Sequence, residues 1–220
     1  MVFFMKKSED YGLVLSSKES EDKKSARIIT TNHFQLVDFE LNPDANLKVQ
    51  DKIFIGKDND IIKQERAQLS YDDLNKKEEF EVEKAIHSIV ITDEPKYVKF
   101  FNDQSKEASQ LHKLDGISRK LGSKILTEKE ENGDFESFED IDNRVRFIDS
   151  SKDLIVKRVL FELIEEPKIK KGRQVYLFAV VKKSNKKEVP EYDEFVTDDS
   201  RFIEMIKEKG LLEKEGKRIR

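Results

Sequence analysis

At 220 residues the chain can hold one large or two small domains, and a 36% hydrophobic content can build a core beneath a surface rich in charge, at 40%. The formal net charge of -4 excludes a globally basic nucleic-acid coat, so any polyanion contact has to be local. With no Cys, disulfides and thiolate metal sites are excluded as well.

The opening MVFFMKKSED turns acidic too early for a signal peptide, and no later stretch approaches a membrane span. The simplest expectation is a cytoplasmic protein with no membrane partner. Residues 1–60 read as β. Tyr11 to Leu15 is a strand, Ser16 to Lys24 a charged turn, and Ala26 to Thr31, His33 to Leu41 and Lys52 to Gly56 are further strands around an Asn42-Pro43-Asp44 turn. Short strands separated by Gly, Pro, Asn and Asp predict a small antiparallel barrel or sandwich. Phe3, Phe4, Tyr11, His33, Phe34 and Phe54 are candidates for stacking on bases, with filling of a small core as the commoner use of such residues.

Ile61 to Ser70 reads as one more strand and Tyr71-Asp-Asp-Leu74 as a helix start. Lys77 to Val90 has a helical period with Phe80, Val82, Ala85, Ile86, Ile89 and Val90 on one side, although its β-branched end, Ile89 to Thr92, admits a strand. Asp93 and Pro95 start the next helix, which continues through Tyr97, Val98, Phe100 and Phe101.

A helical stripe at Phe100, Phe101, Ala108, Leu111 and Leu114 precedes a second stripe at Leu121 and Ile125. Leu114-Asp115-Gly116-Ile117-Ser118 between them has room only for a tight turn, so the sequence predicts a helical hairpin. Gly116 permits backbone angles closed to other residues. The second helix begins at about Ser118, where unpaired N–H groups and the helix dipole favour a phosphate. Arg119, Lys120 and Lys124 supply charge nearby. Such contacts read the backbone of a nucleic acid, not its sequence. Asp115 puts a negative charge beside this seat, and a plain hairpin with solvated lysines is the alternative.

Gly133-Asp-Phe135 stops that helix, Ser137 to Asp140 starts a third with Ile141 and Val145, and a longer one runs from Ser150 or Ser151 through Ile164. Its buried side is predicted to hold Leu154, Ile155, Val159, Leu160 and Leu163. This second helical pair lacks a glycine turn and is a degenerate copy at most. Val175 to Val181 is apolar throughout and predicts a strand, within 173–183, that returns to the N-terminal sheet and closes a barrel. The lysines flanking it, from Lys168 to Lys171 and from Lys182 to Lys187, form a basic patch or guard an edge strand. Residues 184–220 read as an acidic and then basic extension with a short helix from Arg201 to Leu212.

The turn resembles the helix-hairpin-helix motif, apolar-Pro-Gly-apolar-Gly, of nucleic-acid-binding proteins. Leu114, Gly116, Ile117, Lys120 and Leu121 match that pattern, while Asp115 and Ser118 replace its Pro and second Gly. Three features occur in order: the β-rich start, Tyr71-Asp-Asp-Leu74 leading into Tyr97 to Asn102, and the hairpin followed by Phe135 to Asp140 with Arg144-Val145. In that order, over roughly residues 8–183, they resemble an archaeal family of predicted RNA-binding proteins, domain of unknown function 655. The resemblance implies a multi-domain α and β architecture. It would comprise a small OB-like antiparallel β-barrel from 1–70 with the return strand 173–183, and an all-α domain at 71–167 with the helix-hairpin-helix at 97–131. It implies non-catalytic binding of RNA ahead of DNA, in connection with the translation or transcription machinery and with ribosomal or transcription proteins as partners. The residues placed at the site are Gly116, Ile117, Ser118, Arg119, Lys120 and Lys124. No cofactor is implied beyond a monovalent cation held by the carbonyls of His112, Leu114 and Ile117.

Other function classes compete with this one. A DNA repair glycosylase would cast Lys120 and Asp142 as its catalytic pair, which needs a desolvated pocket, whereas the stretch between them is densely charged. A nuclease has only chance carboxylates in its favour. His33, His87 and His112 are too scattered for a shared metal site, and no Gly-rich phosphate loop is present. The main alternative is a protein-protein interaction scaffold, which salt would separate from phosphate binding.

Overall fold

Alternating apolar residues in the N-terminal third build one antiparallel layer of strands on which helices pack. The computed structural model describes residues 10–20, 23–57, 59–107, 109–148, 150–164 and 176–180. The strands are β1 (Tyr11–Ser20), β2 (Lys23–Thr30), β3 (Leu36–Leu41), β4 (Lys52–Phe54) and β5 (Ile62–Leu69). They lie in the order β4-β1-β2-β3-β5, every neighbour antiparallel. The charged stretch expected to be a turn is mostly strand: Ser16 to Ser20 pair with Arg27 to Lys23 as a ladder. Backbone pairing continues there without burial, because the exposed side chains leave both faces wet.

Val14, Ala26, Ile28, Val37, Phe39, Leu41 and Ile53 form one buried cluster, against which Ala45, Leu47, Ile55, Ile61 and Ile62 pack. The Asn42 N–H donates to the Ile61 carbonyl at 2.9 Å, and Asn42 Nδ2 to that of Asp60 at 2.8 Å, folding the connections over the cluster. Among the described residues β4 and β5 are the sheet edges and share no ladder.

On β1 lies α1 (Lys76–Thr92), helical through its β-branched end. Asn75 caps it, its Oδ1 accepting from the N–H groups of Lys77 and Glu78 while Glu78 Oε2 accepts from the Asn75 N–H. Val82, Ala85, Ile86, Ile89 and Val90 are its buried stripe. Phe80 falls off that stripe by helical period and is exposed, with Lys84 Nζ 4.2 Å from its ring centre. Glu78, also buried, accepts from Ser16 Oγ at 2.7 Å and from Arg27 Nη1 at 2.6 Å, tying the helix start to the sheet. Burial works against its charge, but these donors and the Asn75 N–H outweigh it and hold its carboxyl below the usual carboxylate range.

Four further helices follow: α2 (Glu94–Asn102), α3 (Arg119–Asn132), α4 (Phe138–Arg144) and α5 (Ser151–Ile164). α5 packs on α1 and α4 on α5. The helix expected from Phe100 to Leu114 does not form. α2 stops at Asn102, and the only regular structure among the described residues up to Leu114 is a 3-10 turn at Leu111–Lys113. Side chains take the backbone groups a longer helix would have used. Lys129 Nζ donates to the carbonyls of Asn102 at 2.7 Å and Gln104 at 2.6 Å, and the Gln110 N–H donates to Gln104 Oε1 at 2.6 Å. Leu111 and Leu114 are buried all the same.

The return strand expected at 173–183 is not formed at its described residues, 176–180, which are irregular. Instead the N–H groups of Leu177, Phe178 and Ala179 donate to the buried carboxylate of Glu162 at 2.7, 3.0 and 2.8 Å, with Arg158 Nε at 2.7 Å on the same group. The Phe178 ring meets Tyr97 and Phe100 edge-on at 5.7 and 5.1 Å. The Val180 N–H donates to the His33 carbonyl at 2.8 Å, between β2 and β3. The flanking lysine clusters and the extension at 184–220 lie outside the described residues, as do Phe3 and Phe4.

Candidate nucleic-acid interface

The turn before α3 is built around Gly116, whose φ of 86° is a left-handed conformation natural to glycine. The Ile117 N–H closes the turn on the Leu114 carbonyl at 3.0 Å. That bond occupies one of the three carbonyls expected to hold a monovalent cation. Ile117 itself is buried, so it anchors the turn from below and is not an exposed contact residue. Ser118 caps α3, its Oγ accepting from the Leu121 N–H at 3.1 Å. This leaves the N–H groups of Arg119 and Lys120 pointing out of the first turn, where the dipole is positive. Asp115 is half-buried, with one carboxylate oxygen shielded from water.

Gly116, Ser118, Arg119, Lys120 and Lys124 are all exposed, and Lys120 and Lys124 stand one turn apart on the same side of α3. Lys124 Nζ lies 4.8 Å from the ring centre of Phe147, in the loop after α4. Arg146 beside it is exposed. The arginines draw a clear distinction. Among those described, Arg27, Arg66, Arg144 and Arg158 each hold an ion pair, while Arg119 and Arg146 hold none among the described residues. Both of these are at this end of the helical layer. Sequence reading missed Arg146 and Phe147; the available signal was an Arg-Phe pair just past a helix end, with the Phe outside every apolar period.

The other expected roles fare differently. Asp142 accepts the Ser151 N–H at 2.7 Å and so caps α5, while Lys120 is exposed to solvent. Of the candidate stacking residues, Phe34 is fully buried and His33 half-buried. Tyr11 and Phe54 are 45% and 39% exposed, edge to face at 5.5 Å across β1 and β4, with Lys52 Nζ 5.0 Å from the Tyr11 ring centre. Tyr11 and Lys52 border a groove of about 300 Å³ lined also by Thr31, Ser88, Thr92 and Asp93. No helix among the described residues is long and apolar enough to cross a membrane.

Comparison with known proteins finds a family model, described as protein of unknown function (DUF655), that matches residues 10–180. The uncharacterized protein MJ0038 of Methanocaldococcus jannaschii is 27% identical over 186 residues, which cover 80% of this chain and 82% of that one. The crystal structure of Af1531 from Archaeoglobus fulgidus, of the same family, is similar with a TM-score of 0.68 and 31% identity, over 78% of this chain and 100% of that one.

Proposed function

We propose, on the premise that the chain belongs to the DUF655 family of proteins of unknown function, that it binds nucleic acid without catalysis, RNA ahead of DNA. The contact is to the phosphate backbone, through the first turn of α3 and the side chains of Arg119, Lys120 and Lys124. One observation supports this reading: in a chain of net charge -4, the two described arginines that hold no ion pair among the described residues gather with Lys120 and Lys124 at one end of the helical layer. Exposed charges with no partner among the described residues are suited to an external anion. On this reading α3 is the second helix of a helix-hairpin-helix whose first helix has shrunk to the 3-10 turn at Leu111–Lys113. The sheet serves as an OB-like barrel, closed by the segments around Leu47 and Ile61 and offering Tyr11, Phe54 and Lys52 as a second contact. The family resemblance favours RNA, with a partner in the translation or transcription machinery.

The test is fluorescence anisotropy of labelled single- and double-stranded RNA and DNA across salt, for wild type and for Arg119→Glu with Lys120→Glu. The logarithm of the wild-type affinity falls linearly with that of salt, by about 0.7 per phosphate contact on a single strand. The double variant flattens that slope by about 1 to 2. Absence of binding at low salt, or equal binding by the double variant, defeats the reading. Tight binding to a protein partner that ignores salt would favour a scaffold instead.

A further inference from the structure

We infer that Phe147 is a base-stacking platform, taking the face of one unpaired nucleobase while Lys124 and Arg146 hold the phosphates on either side of it. This rests on the nucleic-acid-binding reading and adds the strand type, which that reading left open. Phe147 is 78% exposed, while Phe34, Phe39, Phe101, Phe135 and Phe138 are all buried. Its φ of 77° lies in the left-handed region, which a bulky side chain rarely adopts. The loop therefore holds an apolar ring in water on an unfavourable backbone, and the fold gains no core burial from it. Lys124 Nζ, 4.8 Å from the ring centre, presets the geometry of a cation beside an aromatic face.

The surroundings select the ligand. Lys120, Ser123 and Lys124 on α3, and Asn143 and Arg146 beside Phe147 in the chain, are exposed and polar or cationic. A protein interface of any strength has an apolar centre, and among the described residues neither α3 nor this loop exposes another large apolar side chain. An isolated aromatic set among cations is instead the combination that tracks single strands, where charge follows the backbone and rings take bases. A duplex offers no free base face at such a site, because its bases already stack on one another.

The chain has no Trp, so Phe147→Trp introduces its sole indole as a reporter. Titrating that variant at low salt with short oligouridylate or oligoadenylate, with a duplex of the same length, and with inorganic polyphosphate separates stacking from charge. Quenching by the single strands, several-fold weaker quenching by the duplex and none by polyphosphate is the expected result. In parallel anisotropy, Phe147→Ala weakens single-strand binding about tenfold and Phe147→Tyr retains it, both with the wild-type salt slope. If Phe147→Ala binds as wild type does, or polyphosphate quenches the indole as well as the oligonucleotides, stacking is overturned while phosphate binding stands. If wild type binds no nucleic acid at low salt, both fall.

Discussion

The helical layer uses the same residue types in opposite ways in its interior and at one exposed cluster. In the interior, Glu78 and Glu162 are buried carboxylates, each fully occupied: one by Arg27, Ser16 and a helix cap, the other by Arg158 and three backbone N–H groups. At the exposed cluster, Arg119, Arg146, Lys120 and Lys124 face water, Lys124 beside the Phe147 ring, with no carboxylate paired to them among the described residues. Composition cannot tell these apart, since 40% of the chain is charged. What separates them is whether the structure has satisfied the charge. A satisfied charge positions elements, and an unsatisfied one is free to meet something else.

The largest effect that would test the contrast is at Glu162. Glu162→Ala removes the charge partner of the partly buried Arg158 and the acceptor of three N–H groups, so urea unfolding should show a loss of about 3–5 kcal/mol. A loss under about 1 kcal/mol would mean the interior junctions do not hold the fold. Next comes acid. Because the folded-state pKa of Glu78 is depressed, its contribution is present above the unfolded value, about 4.3, and lost as pH falls through the folded one. Thermal melts from neutral to acid pH should therefore fall more steeply for wild type than for Glu78→Gln; parallel curves would remove Glu78 from the account. Smallest are the changes at the exposed cluster. Arg119→Glu should alter stability by less than about 0.5 kcal/mol while it weakens binding. Phe147→Gly, relieved of its left-handed strain, should raise stability by up to about 1 kcal/mol as binding drops. Destabilisation by either would assign that cluster a structural duty and erase the contrast.

Where side-chain period governs, the sequence was readable. The alternation in Val37, Phe39 and Leu41, the stripe from Val82 to Val90 and the helix starts at Ser118 and Ser137 all anticipate what folds. Reading failed where backbone groups bond to distant side chains. Phe100 to Leu114 has a helical stripe, but Lys129 and Gln104 intercept its backbone groups, a contact separated by 25 residues for the Lys129–Gln104 bond. Tyr176 to Val180 has the composition of a buried strand, yet three of its amides go to a glutamate on α5. At the candidate site the cations of α3 were legible because capping is local. Phe147 was not, because its significance depends on a lysine 23 positions earlier folding beside it.

The grip of Glu162 on Leu177, Phe178 and Ala179 has a consequence for which sequences this chain could tolerate. The carboxylate recognises amide hydrogens, which nineteen of the twenty residue types supply, so the clasp itself sets no side-chain identity at these three positions. Proline alone cannot serve, having no hydrogen to give. A constraint of this kind leaves identity free and forbids a single letter. It would be silent in any comparison that scores similarity, and audible only to one that asks which residue never occurs.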